Sequence, residues 1–161
     1  MANAELDLQS IKGARVLVVD GNFGNVEIVS FLLDQAGLQI TTAANGREAV
    51  YAVTQAVEPF DVVLMDIMMP EMDGREATRI IRQRWSAEEL PVIAVTALTL
   101  PEDRDLCLTA GMNDHLAKPF NIRDLDDKLI RWIRPRHGMS TAKAPYASGT
   151  PGSWNRNISS Y

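Results

Sequence analysis

The chain alternates short apolar runs with longer stretches in which apolar residues recur every three or four positions. Short apolar runs are typical of strands buried on both faces, and the longer periodic stretches are typical of amphipathic helices. The pattern predicts strands over residues 15–19, 38–43, 61–65, 91–95 and 114–117. It predicts helices over residues 26–36, 46–57, 74–84, about 101–110 and 122–133.

This alternation of strand and helix indicates the fold class. Strands that are separated by helices pair in parallel through right-handed crossovers, and the helices then cover both faces of the sheet. Residues that begin or end helices agree with the assignment: Gly37 and Gly111 follow predicted helices, and Pro101 suits a first helical position. We therefore expect an α/β, doubly wound fold around a five-stranded parallel sheet.

The 161 residues, 46% of them apolar, suffice for one hydrophobic core and one domain. Residues 1–13 are interpreted as a linker or lead-in, and residues 14–134 as the domain. Residues 135–161 are rich in Gly, Ser, Pro and Asn and lack apolar periodicity. We expect this end to be a disordered tail or an artificial or frame-altered extension.

Composition narrows the function classes. The sequence has no apolar run of about 18 residues and no signal-peptide pattern at its start, so we expect a cytoplasmic domain. A single cysteine, Cys107, with only His115 and His137 offers neither an internal disulfide nor a soft-metal cluster.

The charge is unevenly distributed along the chain. Residues 1–127 carry 21 acidic and 10 basic residues, and residues 128–161 carry 6 basic residues and no acid. An acidic body argues against nucleic-acid binding by the folded part.

Chemistry-bearing residues stand at the ends of four predicted strands. Asp66 closes the apolar run VVLM, and Asp20, Thr96 and Lys118 close three others. Because the carboxyl ends of parallel strands share one edge, where ligands bind in open α/β sheets, these side chains are expected to converge. The carboxylates of Asp20 and Asp66 could bind Mg²⁺, which prefers oxygen ligands. The Thr96 hydroxyl and the Lys118 ammonium could bind the oxygens of a phosphoryl group. An aspartate oxygen can also accept a phosphoryl group.

Three of these residues also have an ordinary structural explanation. Asp66 alone is compatible with capping of the following segment, Thr96 with a residue that simply favours strands, and Lys118 with a solvated strand end. Their joint placement at one sheet edge favours the functional interpretation.

Four ordered motifs, VLVVDGN, LMDIMMPEMDG, IAVTAL and HLAKPF, resemble the signature of response-regulator receiver domains over about residues 14–134. The stretches NGREAV, EATRIIR and AGMNDHLAKPF resemble receivers of hybrid sensor histidine kinases. The resemblance implies a flavodoxin-like fold with strand order 2-1-3-4-5. It also implies Mg²⁺-dependent transfer of phosphate from a histidine donor, and a conformational output through the last helices.

By this resemblance, Asp66 is the phosphoacceptor. Asp20 is a metal-site acid, and the main-chain carbonyl of Met68 is a further metal ligand. Thr96 is the switch hydroxyl that follows the phosphoryl group, and Lys118 pairs with the phosphoryl oxygens.

The resemblance also implies roles around the last strand. A cis peptide bond is expected before Pro119. His115 occupies the switch position, with a partly exposed strand residue as the equally weighted alternative. The expected output surface contains Leu106, His115 and Leu129.

One position departs from the family pattern. Receivers usually carry two successive acids after the first strand, and here the second is Gly21, in VVDGN. The missing carboxylate is expected to lower the affinity for Mg²⁺. It also relieves repulsion, since two like charges about 4 Å apart cost on the order of 1–4 kcal/mol.

The sequence thus predicts a phosphorelay receiver that is phosphorylated on Asp66 with Mg²⁺, weakened by Gly21. As an isolated domain it is expected to be a phosphoacceptor rather than an enzyme. Its expected partner is a histidine kinase or a histidine phosphotransfer domain. This segment is not expected to bind nucleic acid or a membrane. It is expected to be a monomer or a weak dimer. The alternative is a degenerate receiver that binds proteins without phosphorylation.

Overall fold

A computed structural model describes residues 8–97 and 100–133. Five parallel strands in it form one sheet in the order β2-β1-β3-β4-β5. Their bounds are β1 Arg15–Val19, β2 Gln39–Ala43, β3 Val62–Asp66, β4 Val92–Thr96 and β5 Asp114–Ala117. The predicted doubly wound fold and strand order are confirmed.

Helices connect the strands along the chain. Their bounds are α1 Phe23–Gln35, α2 Gly46–Gln55, α3 Gly74–Ile81, α4 Pro101–Ala110 and α5 Ile122–Trp132. Helix α1 begins three residues before the predicted start because the Asn22 side chain caps it, accepting the N–H of Asn25. Helix α3 ends three residues early, and Arg82, its C-terminal cap residue, lies in the turn that follows.

The sheet is covered on both faces, because successive strand residues point to opposite sides. Leu17 and Val19 lie in the core layer under α2, α3 and α4. Val16 and Val18 lie in the layer under α1 and α5. In the three central strands β1, β3 and β4, polar side chains are found only at the strand ends.

Some residues before β1 pack against the domain. Ile11 is fully buried in the α1 and α5 layer, and Leu8 packs against the same cluster. The predicted lead-in therefore contributes to the core from residue 8 onward. The tail predicted over residues 135–161 lies outside the described residues.

Within the described ranges, no helix combines the length and apolar character needed to cross a membrane.

Candidate functional site

The four predicted strand-end residues lie at one edge of the sheet. Asp20 directly follows β1, Asp66 ends β3, Thr96 ends β4 and Lys118 directly follows β5. The two acids are each 8% exposed and Thr96 is 2% exposed. The backbone N–H of Lys118 donates to the carbonyl of Thr96 at 2.9 Å, which keeps the end of β5 beside β4.

One ammonium contacts both acids. Lys118 Nζ lies 2.9 Å from Asp20 Oδ2 and 3.6 Å from Asp66 Oδ2. Two ionised carboxylates and one ammonium leave the site with a net charge of about −1. The site therefore retains an attraction for a cation.

Burial raises the pKa of Asp66, and the neighbouring charge of Asp20 raises it further. Lys118 and a hydrogen bond from the backbone N–H of Met68 act in the opposite direction. The rise is therefore due to lost solvation and to a second acid at close range, both of which a bound cation would counter.

The orientation of Asp20 is set by the β1–α1 turn. Its Oδ1 accepts the backbone N–H of Asn22 at 2.8 Å, and the Asn25 side-chain amide lies 3.5 Å from Oδ2. Neither asparagine was predicted to belong to the site. Their sequence signal is the spacing of an N-cap residue ahead of an apolar helix, which marks Asn22 and places Asn25 one turn later.

The β3–α3 loop, residues 67–73, follows Asp66 closely. The N–H of Gly74 donates to the carbonyl of Ile67 at 3.0 Å, which closes the loop. A Cβ at Gly74 would lie 2.2 Å from the carbonyl oxygen of Asp66, so only glycine allows this approach. The loop thereby fixes the backbone next to Asp66 and Met68.

The oxygen atoms at this site are suited to a hard cation, but they are few. Asp20, Asp66 and the carbonyl of Met68 supply oxygen atoms, which Mg²⁺ prefers, and Mg²⁺ also retains waters readily. The described part of the chain holds no group of three or more His, Cys, Asp or Glu residues suited to a metal ion. These residues fit Mg²⁺ with fewer protein charges than a three-acid site would offer.

Nothing in the local structure requires glycine at position 21. A Cβ there would lie 3.5 Å from Pro70 Cδ, 3.6 Å from the carbonyl oxygen of Ala44 and 3.9 Å from Met69 Cγ. These are ordinary van der Waals distances, and the φ of Gly21 lies outside the left-handed region. An aspartate would fit at this position without backbone strain.

The structure also tests predictions around β5. The Lys118–Pro119 peptide bond is cis, as predicted. His115 lies on β5 and is partly exposed, and Leu106 on α4 is exposed. Leu129 is fully buried, so its assignment to the output surface was wrong: α5 turns Leu125 and Leu129 together into the core.

A polar cluster that the sequence did not indicate ties β5 to α5. Asp114 Oδ1 accepts Lys128 Nζ at 2.8 Å, and Asp114 Oδ2 accepts Trp132 Nε1 at 2.7 Å. Burial opposes ionisation of Asp114, but these hydrogen bonds and that of the His115 N–H prevail and lower its pKa.

A groove of about 460 Å³ opens beside Asp20 and Lys118, between α1 and the start of α5. Ile28 and Leu32 of α1 line one side, and Phe120 and Ile122 line the other. Ile28 is 62% exposed despite its place in the apolar periodicity of α1. Apolar surface therefore adjoins Asp20 and Lys118.

Comparison with known proteins places these features in a wider group. The family model for the response regulator receiver domain matches residues 16–130. The sensor protein GacS of Pseudomonas syringae pv. syringae is 42% identical over an alignment of 127 residues, and the match covers 76% of this chain and 14% of GacS. The signal transduction histidine-protein kinase BarA of Escherichia coli strain K12 is 38% identical over 126 residues, 78% of this chain and 13% of BarA. The chain thus spans about one seventh of these relatives, and the resemblance to receivers of hybrid sensor kinases is confirmed.

A solved structure with the same fold is the receiver domain of the sensor histidine kinase PA1611 from Pseudomonas aeruginosa PAO1. It has a TM-score of 0.68 and 40% sequence identity, and the match covers 74% of this chain and 97% of that one. That crystal structure has a magnesium ion coordinated in its active-site cleft.

Proposed function

Because this chain belongs to the response regulator receiver domain family, we propose that it accepts a phosphoryl group on Asp66 from a phosphohistidine donor. The observation that carries the proposal is the convergence of Asp20, Asp66, Thr96 and Lys118 at one edge of the sheet. The functional unit is residues 14–134, acting in the cytoplasm as a relay within a histidine kinase pathway.

In the proposed reaction, a carboxylate oxygen of Asp66 attacks the phosphorus of the donor. A P–O bond forms, the P–N bond to the donor imidazole breaks, and the electron pair of that bond leaves with the imidazole nitrogen. Lys118 Nζ, 3.6 Å from Asp66 Oδ2, offsets negative charge on the transferred oxygens. Thr96, at the neighbouring strand end, supplies a hydroxyl that follows the phosphoryl group, and His115 on β5 responds to that movement.

Asp20, Asp66 and the main-chain carbonyl of Met68 would hold Mg²⁺, which when bound offsets charge on the phosphoryl group. Gly21 removes one carboxylate from this set, and we propose that the affinity for Mg²⁺ is reduced as a result. The reduced affinity would slow acceptance or confine it to high Mg²⁺ concentrations.

The donor is proposed to be a histidine kinase or histidine phosphotransfer domain that docks over the groove between α1 and α5. The groove adjoins Asp20 and Lys118, and its rim includes the exposed Ile28 and Ile122. Exposed apolar residues beside an otherwise charged site favour a protein partner over a free small phosphate. The receiver itself is proposed to be a monomer or weak dimer.

Transfer from a phosphorylated histidine phosphotransfer domain tests this function. We expect radiolabel to move to this chain in the presence of Mg²⁺ and not to the Asp66→Asn variant. Equal labelling of both proteins would rule out Asp66 as the acceptor.

A second candidate function is binding of the same partner without phosphorylation. Gly21 supports it, because the structure gives no steric reason for the loss of an acid there. In that case the partner would bind the starting chain and Asp66→Asn with the same affinity, and no label would move under any Mg²⁺ concentration.

A further inference from the structure

The start of α2 lies against the β3–α3 loop through backbone atoms. The N–H of Gly46 donates to the carbonyl of Met72 at 3.0 Å. A Cβ on Gly46 would lie 2.5 Å from that carbonyl oxygen and 3.0 Å from both the carbonyl oxygen of Asp73 and Cγ of Met72. Because two of these three atoms are backbone atoms, any larger residue must displace the loop.

Side-chain contacts between the same two segments are weaker. Arg47 Nε and Glu71 Oε1 are 3.7 Å apart, and their side chains are 73% and 59% exposed. An exposed ion pair at this distance contributes little. The backbone contact at Gly46 is therefore the stronger restraint between these two segments, and it acts together with the packing of Met69 and Met72 against the core.

The loop has little freedom to absorb a displacement at Met72. It is closed by the hydrogen bond from Gly74 to Ile67, and Met72 N–H donates to the carbonyl of Pro70 at 2.8 Å. Proline fixes one φ within it, and Glu71 adopts a φ of 69°, a left-handed conformation that is costly for glutamate. We therefore expect a displacement at Met72 to move the rest of the loop, including Met68.

Met68 connects the loop to the chemistry, because it lies two residues after Asp66 and its backbone N–H counters the rise in the pKa of that acid. We propose that Gly46 is a positioning residue for the phosphoacceptor site: by allowing close approach of α2 to Met72, it sets the position of the Met68 backbone. The N–H of Met68 is then held near the Asp66 carboxylate, and the carbonyl of Met68 is the backbone oxygen that would hold the cation. The cation part of this inference rests on the proposed function.

The test compares Gly46→Ala with Gly111→Ala as a matched control. Gly111 has a φ of 105° at the end of α4, and a Cβ there would lie 2.8 Å from Arg82 Cγ. Both changes place a Cβ less than 3 Å from another atom, but Gly111 precedes β5 and so lies at the opposite edge of the sheet from Asp66. Amide resonances of Met68 and Met69 are recorded in the metal-free proteins, followed by Mg²⁺ titration in the starting chain and in a Gly21→Asp background.

We expect Gly46→Ala to shift the Met68 amide resonance and to weaken Mg²⁺ binding roughly tenfold, as is usual when a support of a metal ligand is lost. Gly111→Ala should do neither. If Gly46→Ala does not fold, the double variant with Glu71→Gly relieves the left-handed restraint, and its Met68 resonance should also be shifted. A Met68 resonance and a Mg²⁺ affinity that match those of the control would overturn the inference.

These outcomes are separate from those of the proposed function. Unchanged Met68 resonances would contradict the role of Gly46 and leave phosphoacceptance intact. Absent labelling would contradict phosphoacceptance, while the resonance shift in metal-free protein would still support the role of Gly46.

Discussion

Lys118 Nζ donates a hydrogen bond to Asp20 Oδ2 across 2.9 Å and lies 3.6 Å from the nearest oxygen of Asp66. The bond joins the ends of the first and last strands across a sequence separation of 98 residues. A lysine thus partly neutralises the acid that the sequence predicted to be a metal ligand. A cation that binds Asp20 must compete with this ammonium.

The role of Lys118 is tested by Lys118→Gln, which removes the charge and keeps a polar side chain. Labelling of Asp66 by a phosphodonor should slow by about 100-fold, because the developing charge on the phosphoryl oxygens loses a fixed donor. Mg²⁺ affinity should not fall, since the competing ammonium is gone. Rates are compared with Lys128→Gln, which affects only the Asp114 cluster; equal rates in the two variants would contradict this role.

Gly21→Asp tests the cost of the missing acid. The Cβ distances at this position, 3.5 Å and longer, allow aspartate without strain, so the effect should be electrostatic. We expect tighter Mg²⁺ binding by calorimetry and faster labelling. The metal-free protein should lose about 1–4 kcal/mol of unfolding free energy from like-charge repulsion.

Gly21→Asn is the matched control for that variant, because it has nearly the same shape and no charge. It should leave the free energy of unfolding and the Mg²⁺ titration near those of the starting chain. A Gly21→Asp titration that coincides with the Asn variant would remove the electrostatic account.

The Asp114 cluster predicts an acid-sensitive link between β5 and α5. The pKa of Asp114 is lowered in the folded state from its ordinary value of 3.8. Near and below pH 3.8 the folded protein therefore binds fewer protons than the unfolded chain. The stabilisation is therefore complete above the unfolded pKa and is lost as the pH falls through the lowered folded value. Asp114→Asn should lower the unfolding free energy by about 2 kcal/mol at pH 7 and by less under acid, measured by urea unfolding. A loss that is the same at both pH values would contradict the ionised form as its source.

Arg82 is predicted to stabilise the sheet edge at which β4 and β5 begin, opposite the edge that holds Asp66. Its guanidinium donates to the carbonyls of Gly111 and Leu90 at 2.8 and 2.9 Å and to Asn113 Oδ1 at 2.8 Å. Burial lowers its pKa to about 10, against the opposing charge of Glu89. Arg82→Lys cannot reproduce this planar set of donors, and we expect a loss of about 2–4 kcal/mol in unfolding free energy.

The exposed Arg79→Lys is the control for Arg82→Lys and should change stability by less than about 0.5 kcal/mol. Mg²⁺ affinity should be unchanged in both variants. A similar loss of stability at the two positions would show that the buried hydrogen bonds of Arg82 contribute nothing specific.

The sequence predicted best what depends on local signals. The limits of β1 and β5 were predicted correctly, as were those of α4, which Pro101 and Gly111 mark. The convergence of the acidic pair with Thr96 and Lys118 followed from parallel topology alone.

What the sequence did not predict depends on tertiary packing. Asp114 meets Lys128 and Trp132 across 14 and 18 residues, and only the docking of α5 on β5 brings them together. Ile28 has the periodicity of a core residue but is 62% exposed, because it borders the groove between α1 and α5. Periodicity indicates a helix face, but it does not show how fully a neighbour covers that face.

The most direct test of phosphoacceptance is intact-mass detection of phosphorylation after treatment with acetyl phosphate and Mg²⁺. The starting chain, Asp66→Asn and Gly21→Asp are treated together. We predict partial labelling of the starting chain that increases with Mg²⁺, stronger labelling of Gly21→Asp and none of Asp66→Asn. Labelling that persists in Asp66→Asn, or its absence from both the starting chain and Gly21→Asp, would contradict the central claim.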